Sequence, residues 1–178
     1  MSAPLLVGLI SGVGAVSAML LFALSKLFSR QGGGVHVEDG RGRAVLITGC
    51  DSGFGHALAL RLDRSGFVVF AGCLAPGGGG ARALAAESSG SLRILQMDVT
   101  SDEDVQRAKK IVQENLPEKG LWAVVNNAGV SDWAEIEWSS VGDFQDMLDV
   151  NLFGAIRTAI AFLPLVRASR GADWFCVY

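Results

Sequence analysis

The chain has 178 residues, half of them hydrophobic, with 15 basic against 18 acidic side chains and a net charge of −3. That length is enough for one domain with its own core, and the mildly acidic balance leaves no basic footprint for nucleic acid. Three cysteines, Cys50, Cys73 and Cys176, are far apart and odd in number, which fits neither a disulfide framework nor a zinc pattern, and the isolated His36 and His56 read as surface or helix residues rather than metal ligands.

The hydrophobic excess sits at the N-terminus. Met1 to Ser25 carry no charge, and Pro4 to Leu24 are long enough for a bilayer core, which takes about 20 apolar residues. A cleaved secretory signal would start basic and have a shorter apolar centre; a mitochondrial transit peptide would be rich in Arg. Residues 1–28 are therefore read as one uncleaved transmembrane anchor. Lys26 and Arg30 follow the span and no basic residue precedes it, which points the globular part to the cytosolic side. Residues 29–42, with Gly32, Gly33, Gly34, Gly40 and Gly42, read as a flexible linker, and the folded part is expected over 43–178.

Ala44 to Ile47 is a short apolar run that ends in a glycine-rich turn, the pattern of a buried parallel strand. Gly55 to Arg64 has helical apolar spacing and stops at Gly66. Phe67 to Cys73 reads as a second strand, Pro76 to Gly80 as a loop, and Ala81 to Glu87 as a short helix. Leu92 to Met97 is a third strand. Ser101 then offers an N-cap, with Asp102, Glu103 and Asp104 in the first turn of a helix that ends by Pro117. Leu121 to Val125 is a fourth strand. Phe144 to Arg167 carries a long helical pattern in which Pro164 predicts a kink or an early end. Alternating strands and helices of this kind predict an α/β, Rossmann-type, doubly wound parallel sheet, here its N-terminal half.

The chemistry gathers at the turns. A glycine-rich turn between a strand and a helix lets backbone N–H groups approach a pyrophosphate that side chains would obstruct. Gly49, Gly53 and Gly55 stand in such a turn, spaced Thr-Gly-x-x-x-Gly-x-Gly rather than as the common G-x-G-x-x-G. By themselves the glycines also suit a merely tight turn.

Taken with three further blocks, the turn resembles the short-chain dehydrogenase/reductase family over Arg43 to Arg170. Thr48, Gly49, Asp51, Ser52, Gly53, Phe54 and Gly55 match its dinucleotide turn. Asp98 and Val99 resemble its adenine-contacting pair, and Asn126, Asn127, Ala128 and Gly129 its N-N-A-G turn beside the nicotinamide. Asn151 matches the family's catalytic Asn, which holds a proton-relay water. The form Cys50-Asp51-Ser52-Gly53-Phe54 is similar to a membrane-associated branch of retinol dehydrogenases, 17β- and type 2 11β-hydroxysteroid dehydrogenases and D-β-hydroxybutyrate dehydrogenase.

The resemblance implies hydride transfer between a nicotinamide and a secondary or allylic alcohol of a steroid- or retinoid-like lipid, with D-3-hydroxybutyrate as the alternative substrate. It implies NAD as cofactor, with NADP left open. An acid after the second strand normally takes the ribose hydroxyls, whereas Gly72 and Cys73 stand there, no acid comes before Glu87, and no Arg offers itself to a 2′-phosphate. The expected site is an endoplasmic-reticulum membrane, or alternatively a mitochondrial one, and a homo-oligomer is possible within the branch.

The family's Ser and Tyr-x-x-x-Lys have no match in this sequence. Tyr178 is its one tyrosine, and the expected S-S of a fifth strand reads Trp174-Phe175-Cys176-Val177 instead. The chain as given is therefore expected to be a truncated form that lacks alcohol dehydrogenase activity and leaves part of its sheet uncovered. A non-catalytic, membrane-tethered isoform is the competing reading. Trp133 and Trp138 either border the substrate side or pack.

Overall fold

The computed structural model describes residues 39–132, 135–169 and 175–176. The expected anchor, residues 29–38 of the linker, Trp133 and Tyr178 lie outside the described residues.

Five parallel strands form one sheet in the order β3-β2-β1-β4-β5. They are β1 (Ala44–Ile47), β2 (Val68–Cys73), β3 (Leu92–Gln96), β4 (Leu121–Asn126) and β5 (Phe175–Cys176). The helices between them are α1 (Gly53–Arg64), α2 (Gly79–Glu87), α3 (Asp102–Glu114), α4 (Val141–Leu148) and α5 (Ala155–Ala168). This is the expected Rossmann-type arrangement, with the chain order reversing direction at β1, between β2 and β4.

β1 is central because all four of its residues are apolar and buried on both faces. Leu46 joins Phe70, Val124, Val105, Val112 and Phe162 in a core under α3 and α5. Val45 and Ile47 join Val69, Ala123, Leu60 and Leu84 under α1 and α2. A strand buried on both sides has no polar face to show, so its sequence reads as a continuous apolar run rather than an alternation.

The helix bounds differ from the sequence expectation, α1 beginning at Gly53 rather than Gly55. α2 begins at Gly79, so Gly79 and Gly80 belong to the helix and not to the loop. The last long helix begins at Val141, three residues before Phe144, because Ser140 and Asp143 form a reciprocal capping box. It also runs four residues past Pro164, to Ala168. Between α4 and α5 the residues Asp149–Gly154 form a wide π-turn.

Residues 39–42 are fastened to the body although they read as linker. Gly40 N donates to Ser65 O, Lys119 Nζ to Arg41 O, and Gly40 lies so close to the Phe67 ring that a Cβ there would stand 2.2 Å from it.

Candidate functional site

The ends of β1, β2, β3 and β4 that carry the turns all open on one side of the sheet, as parallel strands must. There they enclose a cleft of about 380 Å³. Open α/β sheets bind ligands at this place, outside the strand ends where the strand order reverses.

The glycine turn follows β1. Thr48 is buried and does not reach the cleft; its Oγ1 accepts from Asn127 N at 3.0 Å and Ala128 N at 2.9 Å. Asn127 returns the contact, its Nδ2 donating to Thr48 O at 2.9 Å and Gly49 O at 3.0 Å. The Asn126–Gly129 block is thus a brace for the glycine turn as well as a wall of the cleft.

The three glycines answer to different needs. Gly49 has φ 69°, and a Cβ would meet Ala128 Cα at 2.8 Å. Gly55 is buried, and a Cβ would meet Asn127 Nδ2 at 2.4 Å and Gly49 O at 2.5 Å. Gly55 is a packing requirement, and Gly49 both a packing and a conformational one. Gly53 has φ 63° and nothing within 4 Å of where a Cβ would be. Its requirement is conformational, and it leaves the start of α1 open.

That start is also uncapped. Ser52 is the N-cap of α1 but makes no side-chain hydrogen bond to the helix, and the first turn holds no acid. α3 is capped by Ser101 Oγ, which accepts from Asp104 N at 3.2 Å, and α4 by its capping box. The first N–H groups of a helix have no partner within it, so an uncapped start keeps donors free for an anion.

Gly49, Asp51, Ser52 and Phe54 line the cleft on the turn side, and Asn127, Ala128 and Gly129 on the far side. Asp98 and Val99 close it from β3. Asp98 is shaped by Thr100, whose N and Oγ1 donate to Asp98 Oδ1 at 2.9 and 2.7 Å. Val99 is held from α5: Arg157 donates to Val99 O at 2.6 Å and pairs with Asp102 at 2.8 Å, and Gly154 lets the helix approach Val99 Cγ2 so closely that a Cβ would be 2.7 Å from it. Asn126 and Gly55 are buried behind this wall.

Leu74, Met97, Val130 and Val150 also line the cleft and were not among the expected cofactor-binding residues. Leu74 and Met97 are the first residues past β2 and β3, so strand ends followed by an apolar residue were the available signal. Leu74 is 64% exposed and Phe54 86%, which leaves two large apolar side chains at the mouth.

Asn151 borders an adjoining cavity of about 410 Å³ that shares Phe54 and Asn127 with the cleft. Its side-chain amide grips one backbone unit: Nδ2 donates to Val130 O and Oδ1 accepts from Val130 N, both at 2.8 Å. As placed, Asn151 positions the segment that follows Gly129. Trp138 is 79% exposed in a short 3₁₀ turn, so it does not pack.

Cys50 and Cys73 are buried free thiols beneath the turn. Burial, with the neighbouring Asp51, raises the Cys73 thiol to about 12. Burial likewise raises that of Cys50, with Cys73 and Asp51 adding to it.

A parallel doubly wound sheet with a glycine turn at the reversal defines a Rossmann-type unit. The short chain dehydrogenase family model matches residues 43–172, and the chain belongs to that family. Over 134 residues it is 47% identical to the mitochondrial D-beta-hydroxybutyrate dehydrogenase of Rattus norvegicus, covering 73% of this chain and 39% of that enzyme. Over 130 residues it is 48% identical to estradiol 17-beta-dehydrogenase 2 of the same species, covering 72% and 34%. The NADPH-bound carbonyl reductase from chicken fatty liver superposes with a TM-score of 0.62 at 30% identity, over 70% of this chain and 52% of that one. The chain therefore spans well under half the length of these two curated relatives.

Proposed function

We propose that the cleft binds NAD or NADP and that the chain supplies the dinucleotide-binding part of an oxidoreductase acting on an alcohol carbon. The observation that carries this reading is the uncapped, glycine-opened start of α1 at the cleft; α2 is uncapped as well, but its first turn is not among the residues that line the cleft. Ser52, Gly53, Phe54 and Gly55 would present backbone N–H groups to the pyrophosphate, and Gly53 keeps that approach clear. Asp98 and Val99 would border the adenine, and Asn127 to Gly129 the nicotinamide side. Thr48 and Asn126 support these from behind. When bound, the nicotinamide supplies the hydride acceptor or donor. Asn151 acts on this site by fixing Val130.

The favoured substrate class is a steroid- or retinoid-like secondary or allylic alcohol at a membrane, the residues 1–28 serving as the anchor and the endoplasmic reticulum as the location. The 48% identity to an estradiol dehydrogenase supports it. A D-3-hydroxybutyrate-like substrate at a mitochondrial membrane is the second reading, favoured by the 47% identity to the rat hydroxybutyrate enzyme and by Phe70-Ala71-Gly72-Cys73-Leu74.

Binding and turnover separate in the 178-residue chain, because none of its residues matches the family's Ser and Tyr-x-x-x-Lys. Titration of the purified chain with NAD followed by tryptophan fluorescence should saturate. NADH formation with retinol, a steroid alcohol or 3-hydroxybutyrate should stay at background. Absence of any dinucleotide binding would overturn the reading of the cleft, and turnover would overturn the non-catalytic reading of this chain.

A further inference from the structure

No acid follows β2 in the sequence before Glu87, yet the fold brings one to that place. Cys50 N donates to Gly72 O at 2.9 Å, which draws the glycine turn over the end of β2. The next residue, Asp51, then lays its carboxylate across the start of the following loop: Oδ2 accepts from Leu74 N at 2.8 Å and Oδ1 from Ala75 N at 3.1 Å. The backbone of Asp51 is braced from the opposite side. Gly80, in the first turn of α2, lies so near that a Cβ there would stand 1.8 Å from Asp51 O. The carboxylate is thus held by the loop after β2, and the backbone that carries it by β2 and α2.

Two features say what this carboxylate can do. It lines the cleft together with Leu74, Met97 and Asp98, where the adenosine end of a dinucleotide would lie. A carboxylate has about four acceptor positions, and the two backbone donors use one on each oxygen. The remaining two are suited to a pair of hydroxyls. The described residues lining the cleft include no Lys or Arg that would offset a phosphate's charge. In dinucleotide-binding folds an acid at the end of the second strand takes the ribose 2′-hydroxyl, and its repulsion disfavours a 2′-phosphate.

We propose that Asp51 is the residue that sets cofactor choice, its carboxylate accepting from the adenosine ribose hydroxyls and turning away a 2′-phosphate, so that the chain selects NAD over NADP. The proposal rests on the reading of the cleft as a dinucleotide site. The acid that the sequence lacks after β2 is supplied from the β1–α1 turn.

The test is the ratio of two affinities, measured by calorimetric titration of the full 178-residue chain with NAD and with NADP. The unaltered chain should bind NAD at least tenfold more tightly, and Asp51→Asn should lower that preference at least fivefold. A purely structural role for Asp51 would weaken both ligands together and leave the ratio unchanged, which would overturn the proposal. So would equal or tighter binding of NADP by the unaltered chain, a result that needs no variant to fold. If the unaltered chain binds neither, the dinucleotide reading of the cleft fails first and takes this one with it.

Discussion

Gly53 and Gly55 stand two residues apart, and their substitution should separate two properties. Alanine at Gly55 must displace Gly49 O and the Asn127 amide, an overpacking that costs about 1–3 kcal/mol. Alanine at Gly53 meets open space, so its cost is that of a left-handed backbone, about 1–2 kcal/mol. Chemical denaturation should therefore find both variants weakened. Dinucleotide titration of the folded fraction should show Gly53→Ala losing affinity out of proportion to its stability. Equal affinity of Gly53→Ala and the unaltered chain would remove the pyrophosphate from this turn. Much of the cleft could be read at this scale, since glycines, Asp98 and the Asn126–Gly129 block sit in runs short enough to see. Asp51 was read as part of the turn, but the place of its carboxylate past β2 was not, because its partners Leu74 and Ala75 are distant in sequence and meet it only once β1 and β2 pair. Nor was the double grip of Asn151 on Val130, which depends on the wide turn at Asp149–Gly154.

Among the elements, α4 is the least supported. None of its residues is buried, so its cap carries more of its definition than packing does. Asp143 accepts from Ser140 N at 2.6 Å and Ser140 Oγ at 2.9 Å, and these bonds hold its carboxyl below the usual value of 3.8. A carboxyl depressed in the folded state contributes stability above its unfolded value and loses that contribution as the pH falls through the depressed one. Amide exchange over 141–144 should therefore rise, relative to α3, as the pH drops below the ordinary carboxylate range. Asp143→Asn should bring the same fraying to neutral pH. Exchange that responds to neither change would mean the cap is not what defines α4. The periodic core helices α1 and α3 were legible because a buried face fixes their spacing. The start of α4 was not, since Ser140 and Asp143 precede the apolar pattern and Asp stands where the common capping box has Glu or Gln.

On the scale of the molecule, the described body covers one side of its last long helix and leaves the other bare. Phe144, Leu148, Leu152, Ile156 and Ile160 are each at least 39% exposed. An apolar strip of that length is a liability for a chain in water. At tens of micromolar the purified chain should sediment as larger species or require detergent. Ile156→Lys with Ile160→Lys should shift it toward the monomer. A monodisperse, monomeric unaltered chain would show the strip to be covered by other parts of the chain. Alternating strands and helices anticipated the parallel sheet, and the family resemblance its order, in which β4 lies between β1 and β5. The straightness of the strip could not be anticipated. Positions four apart drift by about 40° per step on a helix of 3.6 residues per turn, which over four steps is about 160°. The wide turn at Asp149–Gly154 inserts about one extra residue and so sets the phase back by about 100°. It works as a vernier between two faces of one rod. Within the turn Asn151 meets Val130, beyond it Phe162 meets the core, and the five apolar side chains on either side all stay exposed. Removing Gly154 alone would take away no side chain and yet put the core and the strip out of register with the clamp.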